Sequence, residues 1–239
     1  MQALGTDIGN KLDSMYTSIG NRLQAEADRA LAVEPFRGQA LSRIDDRDHQ
    51  VTIQIHEDVP PPAVTHVLGV ALQHVRQSLD GFPRVLPGAR EVGGIPQVRM
   101  ALRELVMEPE AETRLRELDI DDGWERDQRL SGLVRMLNRA DARYWDAFGS
   151  PEHAFTALQY ARMTLDERED SISPWVRSRL ERELPNAATC GGVIAREVSR
   201  IGWAEADSCL ASLNAARDQL RLHAFVDITP GSPARPRSR

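Results

Sequence analysis

Cysteine is scarce in this sequence, and long apolar runs are missing. Its two cysteines, Cys190 and Cys209, are too few to hold a chain of 239 residues together by disulfides, so a reducing cytoplasm is the expected location. Apolar runs of only a few residues predict that no segment crosses a membrane. The N-terminal residues carry neither the basic nor the apolar region of a signal peptide. We therefore expect a cytoplasmic protein with no membrane partner.

Lysine is scarcer still, because all of the 30 basic residues except Lys11 are arginine. With abundant alanine, leucine and valine, this bias is typical of a GC-rich bacterial genome, so arginine clusters by themselves are not interpreted as binding sites. The formal net charge of −6 excludes a surface that is basic all over, as a protein that coats DNA would need, but it allows a local basic patch. The 41% of hydrophobic residues indicates a folded rather than a disordered chain.

The spacing of apolar residues predicts a mainly α-helical bundle with one short β element. A first helix is expected over residues 8–33, and Pro35 ends it. Residues 51–56 alternate between apolar and polar side chains, which predicts a β-hairpin near residues 40–58. Further helices are predicted over residues 63–80, 97–107, 110–118, 124–148, 151–168, 174–184, 186–200 and 203–225.

These elements are expected to form a single helical domain over residues 1–229, with the β-hairpin as an insertion. Residues 230–239 carry three prolines and three arginines and no large apolar side chain. Such a composition predicts a disordered tail, because nothing in it offsets the entropy lost on ordering.

One predicted helix carries a recognisable pattern, since residues 69–82 read G-V-A-L-Q-H-V-R-Q-S-L-D-G-F. It resembles the central helix of an uncharacterised, HEPN-like helical family of bacteria and phages, which reads roughly G-D-A-L-H-N-L-R-S-A-L-D-H-L. The coinciding positions are Gly69, Ala71, Leu72, Arg76, Leu79 and Asp80. A second pattern of the family, L-N-N-I-D-K-H-R, is similar to residues 137–143, and it coincides at Leu137, Asn138 and Asp141.

The resemblance implies a chemistry as well as a fold. Many HEPN domains are metal-independent ribonucleases, in which an arginine holds the phosphate and a histidine transfers a proton. In this chain Gly81 stands where the first pattern has its histidine, and Arg143 stands where the second has one. The resemblance therefore implies a non-catalytic binding or assembly role, with RNA, another protein or a second copy of the chain as partner. The binding residues that it implies are Arg76, Asp80, Asn138 and Asp141.

Several alternatives remain open. Arg76 and Asp80 are one turn apart, so an intrahelical ion pair is the structural explanation of that site. Arg217-Asp218-x4-His223 is a different arginine–histidine arrangement, and Arg217 falls on the apolar stripe of its helix, where it needs a partner. The alternative function is therefore a metal-independent endoribonuclease with Arg217 and His223 as catalytic residues. The structural interpretation of this pair is an arginine that serves the fold and a surface histidine near a helix end. A helical scaffold that binds only copies of itself is a third possible function.

No metal site and no cofactor are predicted. His66 and His74 lie two turns apart on one helix without a third ligand, which predicts two solvated histidines. Asp119, Asp121 and Asp122 lack the terminal glutamate of a calcium loop. Folding is therefore expected to need neither a metal nor a disulfide.

Overall fold

The computed structural model describes residues 2–38, 40–47, 49–166 and 174–233. It is 62% helical, which confirms the predicted mainly α-helical fold. In chain order its elements are β1 (Gln2–Ala3), β2 (Thr6–Asp7), α1 (Gly9–Ala27), β3 (Ala30–Phe36), β4 (Ser42–Arg47), β5 (Gln50–His56), α2 (Pro61–Leu79), β6 (Arg84–Pro87), α3 (Ile95–Glu117), α4 (Gly123–Arg139), α5 (Ala142–Trp145), α6 (Pro151–Leu165), α7 (Pro174–Glu183), α8 (Pro185–Ile201), α9 (Ala206–Gln219) and β7 (Val226–Thr229).

Contacts divide the chain into two compact units. Unit 1 comprises Met1–Phe82, Ala111–Glu125 and Gly231–Arg239, and unit 2 comprises Pro83–Glu110 and Arg126–Pro230. No helix in the part of the chain that the structure describes combines the length and the apolar character needed to cross a bilayer.

Unit 1 is built on a three-stranded sheet with the order β3-β5-β4. Strands β4 and β5 pair antiparallel and confirm the predicted hairpin, whereas β3 runs parallel to β5. Val33 of β3 and Ile44 of β4 lie opposite Ile53 of the central strand from its two sides. Ile53 is fully buried, and the unit's core continues through the apolar faces of α1 and α2.

The first helix is shorter than predicted, because it ends at Ala27 and the chain then enters β3. Asp28 adopts a left-handed backbone conformation, with φ 56° and ψ 49°, and its N–H donates to the Leu23 carbonyl. This conformation closes the helix, and the following residues pair with β5 along the whole strand. The prediction of a helix to residue 33 is therefore wrong, because pairing with a distant strand outweighs the local periodicity.

Unit 2 is a helical bundle in which α6 packs on α8 at close range. A Cβ added at Gly191 of α8 would lie 2.5 Å from the Ala157 carbonyl oxygen of α6, so only glycine allows this approach. Strands β6 and β7 pair antiparallel, with Val85 opposite Ile228. The core around α4 and α7 consists of Leu133, Leu137, Met163, Val176, Leu180, Leu184 and Ala187.

Four predicted helices have other bounds in the structure. α3 continues through Pro109 where two helices were expected, and buried residues on both sides, among them Val106 and Ala111, offset the proline's lost hydrogen bond. α4 ends at Arg139 instead of residue 148, and α9 ends at Gln219 instead of residue 225. The residues after α9 lead into β7, whose pairing with β6 no local pattern indicates.

The start of the predicted tail makes close contacts. A Cβ added at Gly231 would lie 2.2 Å from the Phe82 carbonyl oxygen, and one added at Gly81 would lie 2.7 Å from Cδ of Pro233. Residues 231–233 therefore pack against the end of α2, whereas residues 234–239 lie outside the described residues.

Candidate functional site

Arg76 and Asp80 form the intrahelical ion pair that was the structural alternative for this site. Nη1 of Arg76 donates to Oδ2 of Asp80 at 2.6 Å, and Nε donates to Oε1 of Gln73 at 2.5 Å. The other oxygen of Asp80 contacts Arg22 of α1 at 2.9 Å. The Arg76 side chain is 14% exposed and lies over the ring of Phe82. This network ties α1 to α2, and a phosphate would have to displace Asp80 to reach Arg76.

Gly81, which stands where the HEPN-like pattern has a histidine, has a backbone conformation that favours glycine. Its φ of +77° lies in the left-handed region that favours glycine, at the turn that ends α2. Together with the packing of Pro233, this conformation leaves no room for a side chain at residue 81.

Asn138 and Asp141 hold elements together at the end of α4. Oδ1 of Asn138 accepts a hydrogen bond from Nη1 of Arg179 at 2.8 Å, which links α4 to α7. Asp141 is the N-cap of α5 and accepts from the backbone N–H of Arg143 at 3.0 Å. Hydrogen bonds from the Arg143 side chain and backbone lower the pKa of the Asp141 carboxyl.

Arg217 and His223 are brought together by one carboxylate. Nη2 of Arg217 lies 3.2 Å from Oδ1 of Asp218, and Nε2 of His223 lies 3.4 Å from the same oxygen. The Arg217 side chain is 18% exposed and the His223 side chain is 60% exposed. All three residues belong to unit 2, whereas Arg76 belongs to unit 1.

A cleft that the sequence analysis did not predict lies along α4 in unit 2. It has a volume of about 470 Å³, and its lining residues are Arg129, Gly132, Leu133, Arg135, Met136, Arg139, Trp145, Phe155 and Gln159. Three of them are arginines, and no carboxylate among the described residues lines it. Arg135 and Arg139 are exposed, and neither makes an ion pair with another described residue. We call this feature the arginine cleft.

A smaller pocket adjoins the arginine cleft, since Arg129, Leu133 and Gln159 line both. Arg162 of α6 lies at this pocket and is buried, with 6% of its surface exposed. Its Nη2 donates to Oε2 of Glu108 at 3.1 Å, and Arg129 lies 3.7 Å from the same oxygen. Burial raises the pKa of Glu104 to about 8, assisted by the charge of Glu108. The raised pKa favours the neutral form of Glu104, which reduces its ability to cancel the positive charge of the nearby arginines.

The sequence contains a signal for the arginine cleft, but in an arginine-rich chain such a cluster does not by itself indicate a binding site. Arg126, Arg129, Arg135 and Arg139 are spaced within one helix so that several share a side, and Trp145 follows shortly after. No sequence pattern indicates that α6 would supply the opposite wall.

His66 is buried, with 3% of its surface exposed, so the prediction of a solvated histidine is wrong. Its Nδ1 lies 2.8 Å from Oε2 of Glu125. Burial alone would lower the pKa of His66, but the hydrogen bond to Glu125 and the charges of Glu125, Glu112 and Asp122 outweigh it, so the pKa is raised. Sequence spacing missed this pair because Glu125 is 59 residues away along the chain.

Among the residues that the structure describes, no group of three or more histidine, cysteine, aspartate or glutamate side chains is arranged to hold a metal ion. No protein-family model, curated protein or solved structure matches this chain.

Proposed function

We propose that this protein is a non-catalytic binding protein whose arginine cleft holds the phosphodiester backbone of a nucleic acid. The observation that carries the proposal is a cleft with three arginines and no carboxylate among its described lining residues, in a chain of net charge −6. Guanidinium groups bind phosphate oxygens in pairs of parallel hydrogen bonds, which makes arginine the residue best suited to this backbone. An acidic surface elsewhere would confine the polyanion to the cleft.

The absence of a proton carrier from the described lining of the cleft supports binding without cleavage. Cleavage through the 2′-hydroxyl needs a group that moves a proton near neutral pH, and arginine does not lose its proton there. RNA is the first candidate ligand because the sequence resembles an HEPN-like family, and a cytoplasmic location in a bacterium or phage-infected cell belongs to the same proposal. A role in defence or in a mobile element follows from that resemblance alone.

The proposal is tested by fluorescence anisotropy with labelled RNA and DNA of the same sequence. Replacing Arg135 and Arg139 together with alanine is expected to weaken binding at least about tenfold and to lower the slope of log affinity against log salt by about one to two. The matched control is the double variant Arg182→Ala, Arg200→Ala, which removes the same charge from exposed positions of α7 and α8. Equal losses of affinity in both double variants, or no binding at low salt, would contradict the proposal. If DNA binds more tightly than RNA, DNA is the ligand instead.

A metal-independent ribonuclease is a second candidate, favoured by the contacts of Arg217 and His223 with Asp218. If the protein cleaves RNA in the presence of a chelator, His223→Ala is expected to lower the rate at least about a hundredfold, the usual contribution of an acid–base group. Arg217→Ala is expected to lower the cleavage rate by as much. Arg76→Ala, in unit 1, is the comparison variant. Cleavage that survives in His223→Ala would rule out this site, and no cleavage between about pH 5 and 9 would rule out the activity.

A further inference from the structure

The segment after α4 carries three aromatic residues in a chain with only 5% aromatic residues. Trp145 packs against the core of unit 2 and lines the arginine cleft. Tyr144 and Phe148 do neither, and 62% and 57% of their surfaces are exposed. Large exposed rings stabilise the fold little, and these two lie within three residues of Trp145 in the chain, which favours a role in contacting a ligand.

Each of the two exposed rings lies beside a guanidinium group. Cζ of Arg143 is 5.8 Å from the ring centroid of Tyr144, and Cζ of Arg221 is 5.3 Å from that of Phe148. The open face of each ring offers a nucleobase a stacking surface. Because Arg143 is bonded to Asp141, Arg221 is the guanidinium group beside these rings that could bind the phosphate.

The segment that carries the rings is held rigidly within unit 2. Oγ of Ser150 donates to the Tyr144 carbonyl oxygen at 2.6 Å, and Oδ1 of Asp146 accepts from the Ala187 backbone N–H of α8 at 2.8 Å. The ring of Phe148 packs edge-on against the buried His153, with 5.4 Å between centroids. Because the rings are already positioned, a base that stacks on them does not have to order this loop.

Three carboxylates, two in the segment and one near the end of α9, already have cationic or backbone partners. Asp141 binds Arg143, Asp146 binds the first turn of α8, and Asp218 contacts both Arg217 and His223. Arg135 and Arg139 in the arginine cleft and Arg221 beside Phe148 therefore carry positive charge that these carboxylates do not neutralise. An acidic protein could also pair with this charge, but flat rings beside guanidinium groups favour a ligand with stacked bases.

Resting on the proposed function, we infer that Tyr144 and Phe148 form a base-stacking platform that restricts the arginine cleft to single-stranded nucleic acid. In a duplex the faces of the bases are covered by their neighbours, so only the backbone contacts remain. In a single strand, the phosphates lie along Arg135 and Arg139 while successive bases stack on the platform.

The test uses the full chain and labelled RNA of about twelve nucleotides, within the usual span of single-strand sites, alone and annealed to its complement. Single-stranded RNA is expected to bind at least about tenfold more tightly than the duplex. Tyr144→Ala is expected to weaken single-strand binding about tenfold and duplex binding hardly at all, while Tyr144→Phe retains the affinity. Because stacking releases no counterions, Tyr144→Ala should leave the salt slope unchanged, unlike the loss of Arg135 and Arg139.

Phe148→Leu provides a second variant that still covers His153, and a fewfold loss of single-strand affinity is expected. Trp175→Ala is the matched control, because Trp175 is 50% exposed on α7 and does not line the arginine cleft. Equal binding of single strand and duplex, or binding unaffected by Tyr144→Ala and Phe148→Leu, would overturn the stacking platform while leaving the proposed function intact. If the protein binds no nucleic acid at all, both the proposed function and the stacking platform are wrong. A dimer in light scattering that Tyr144→Ala dissociates, with RNA affinity unchanged, would assign the platform to self-association instead.

Discussion

Arginine residues in this protein differ by what surrounds them. Arg76 is largely buried and is bonded to Asp80 and Gln73, so its charge is used within unit 1. Arg135 and Arg139 are exposed, and they pair with no carboxylate in the described parts of the chain. Composition alone does not distinguish these two groups, because the difference depends on which carboxylates the fold places within reach.

Replacing Gly81 with histidine restores the residue of the family pattern, yet it is expected to destabilise the protein. The left-handed backbone disfavours any side chain with a Cβ, and that Cβ would meet Pro233. We expect a loss of about 1–3 kcal/mol in the free energy of unfolding, measured by urea titration.

Gly93→Ala is the control for this substitution. A Cβ added at Gly93 would meet no other atom within 4 Å, so the free energy of unfolding is expected to change by less than about 0.5 kcal/mol. If Gly81→His were as stable as the wild type and also cleaved RNA, the site at Arg76 would have to be regarded as a ribonuclease site that has lost one residue.

Among the elements, α8 shows how a helix start depends on a distant residue. Its N-cap, Leu184, makes no side-chain hydrogen bond, and the free N–H of Ala187 is instead bonded by Asp146, 41 residues earlier. Asn186 of the same turn also donates to Asp146. This contact secures both α8 and the segment that carries Tyr144 and Phe148.

Asp146→Ala is therefore expected to lower the free energy of unfolding by about 0.5–2 kcal/mol, the usual cost of losing a cap. It should also weaken single-strand binding, because the platform is less well positioned. Asp146→Asn keeps an acceptor oxygen, so it is expected to retain most of the stability and most of the single-strand affinity. Thermal unfolding and fluorescence anisotropy measure the two. Unchanged stability in Asp146→Ala would show that solvent replaces this cap without cost.

For the whole molecule, the pH dependence of unfolding includes contributions from His66 and Glu104. The pKa of His66 is raised in the folded state, so its pair with Glu125 stabilises fully below the unfolded pKa of about 6.5 and is lost as pH rises through the folded pKa. Glu104, whose pKa burial raises to about 8, also lowers stability as pH rises. The wild-type curve alone therefore does not separate the two.

The difference between wild type and His66→Gln isolates the histidine. Urea unfolding at several pH values is expected to show a difference that is largest at the acidic end and shrinks above about pH 6.5. Glu125→Gln removes the carboxylate that pairs with His66, and it is expected to give the same pH trend. A difference that does not vary with pH would mean that the folded pKa of His66 is not raised.

The sequence by itself determined the helical character, the hairpin near residues 40–58 and the N-terminal boundary of α6, because periodicity and capping act over a few residues. It did not determine β3 or β7, since each becomes a strand through a partner 20 or more residues away. The same holds for His66, whose burial depends on Glu125, and for the cap that Asp146 gives to α8.

The candidate site divides in the same way. Arg217, Asp218 and His223 are near neighbours in the chain, so their proximity could be predicted from one helix end. The arginine cleft could not, because its walls come from α4, α5 and α6 and its charge depends on where Glu104 and Glu108 lie. Local spacing decides which residues share a helix face, whereas only tertiary packing decides which charges are neutralised and which remain exposed to a ligand.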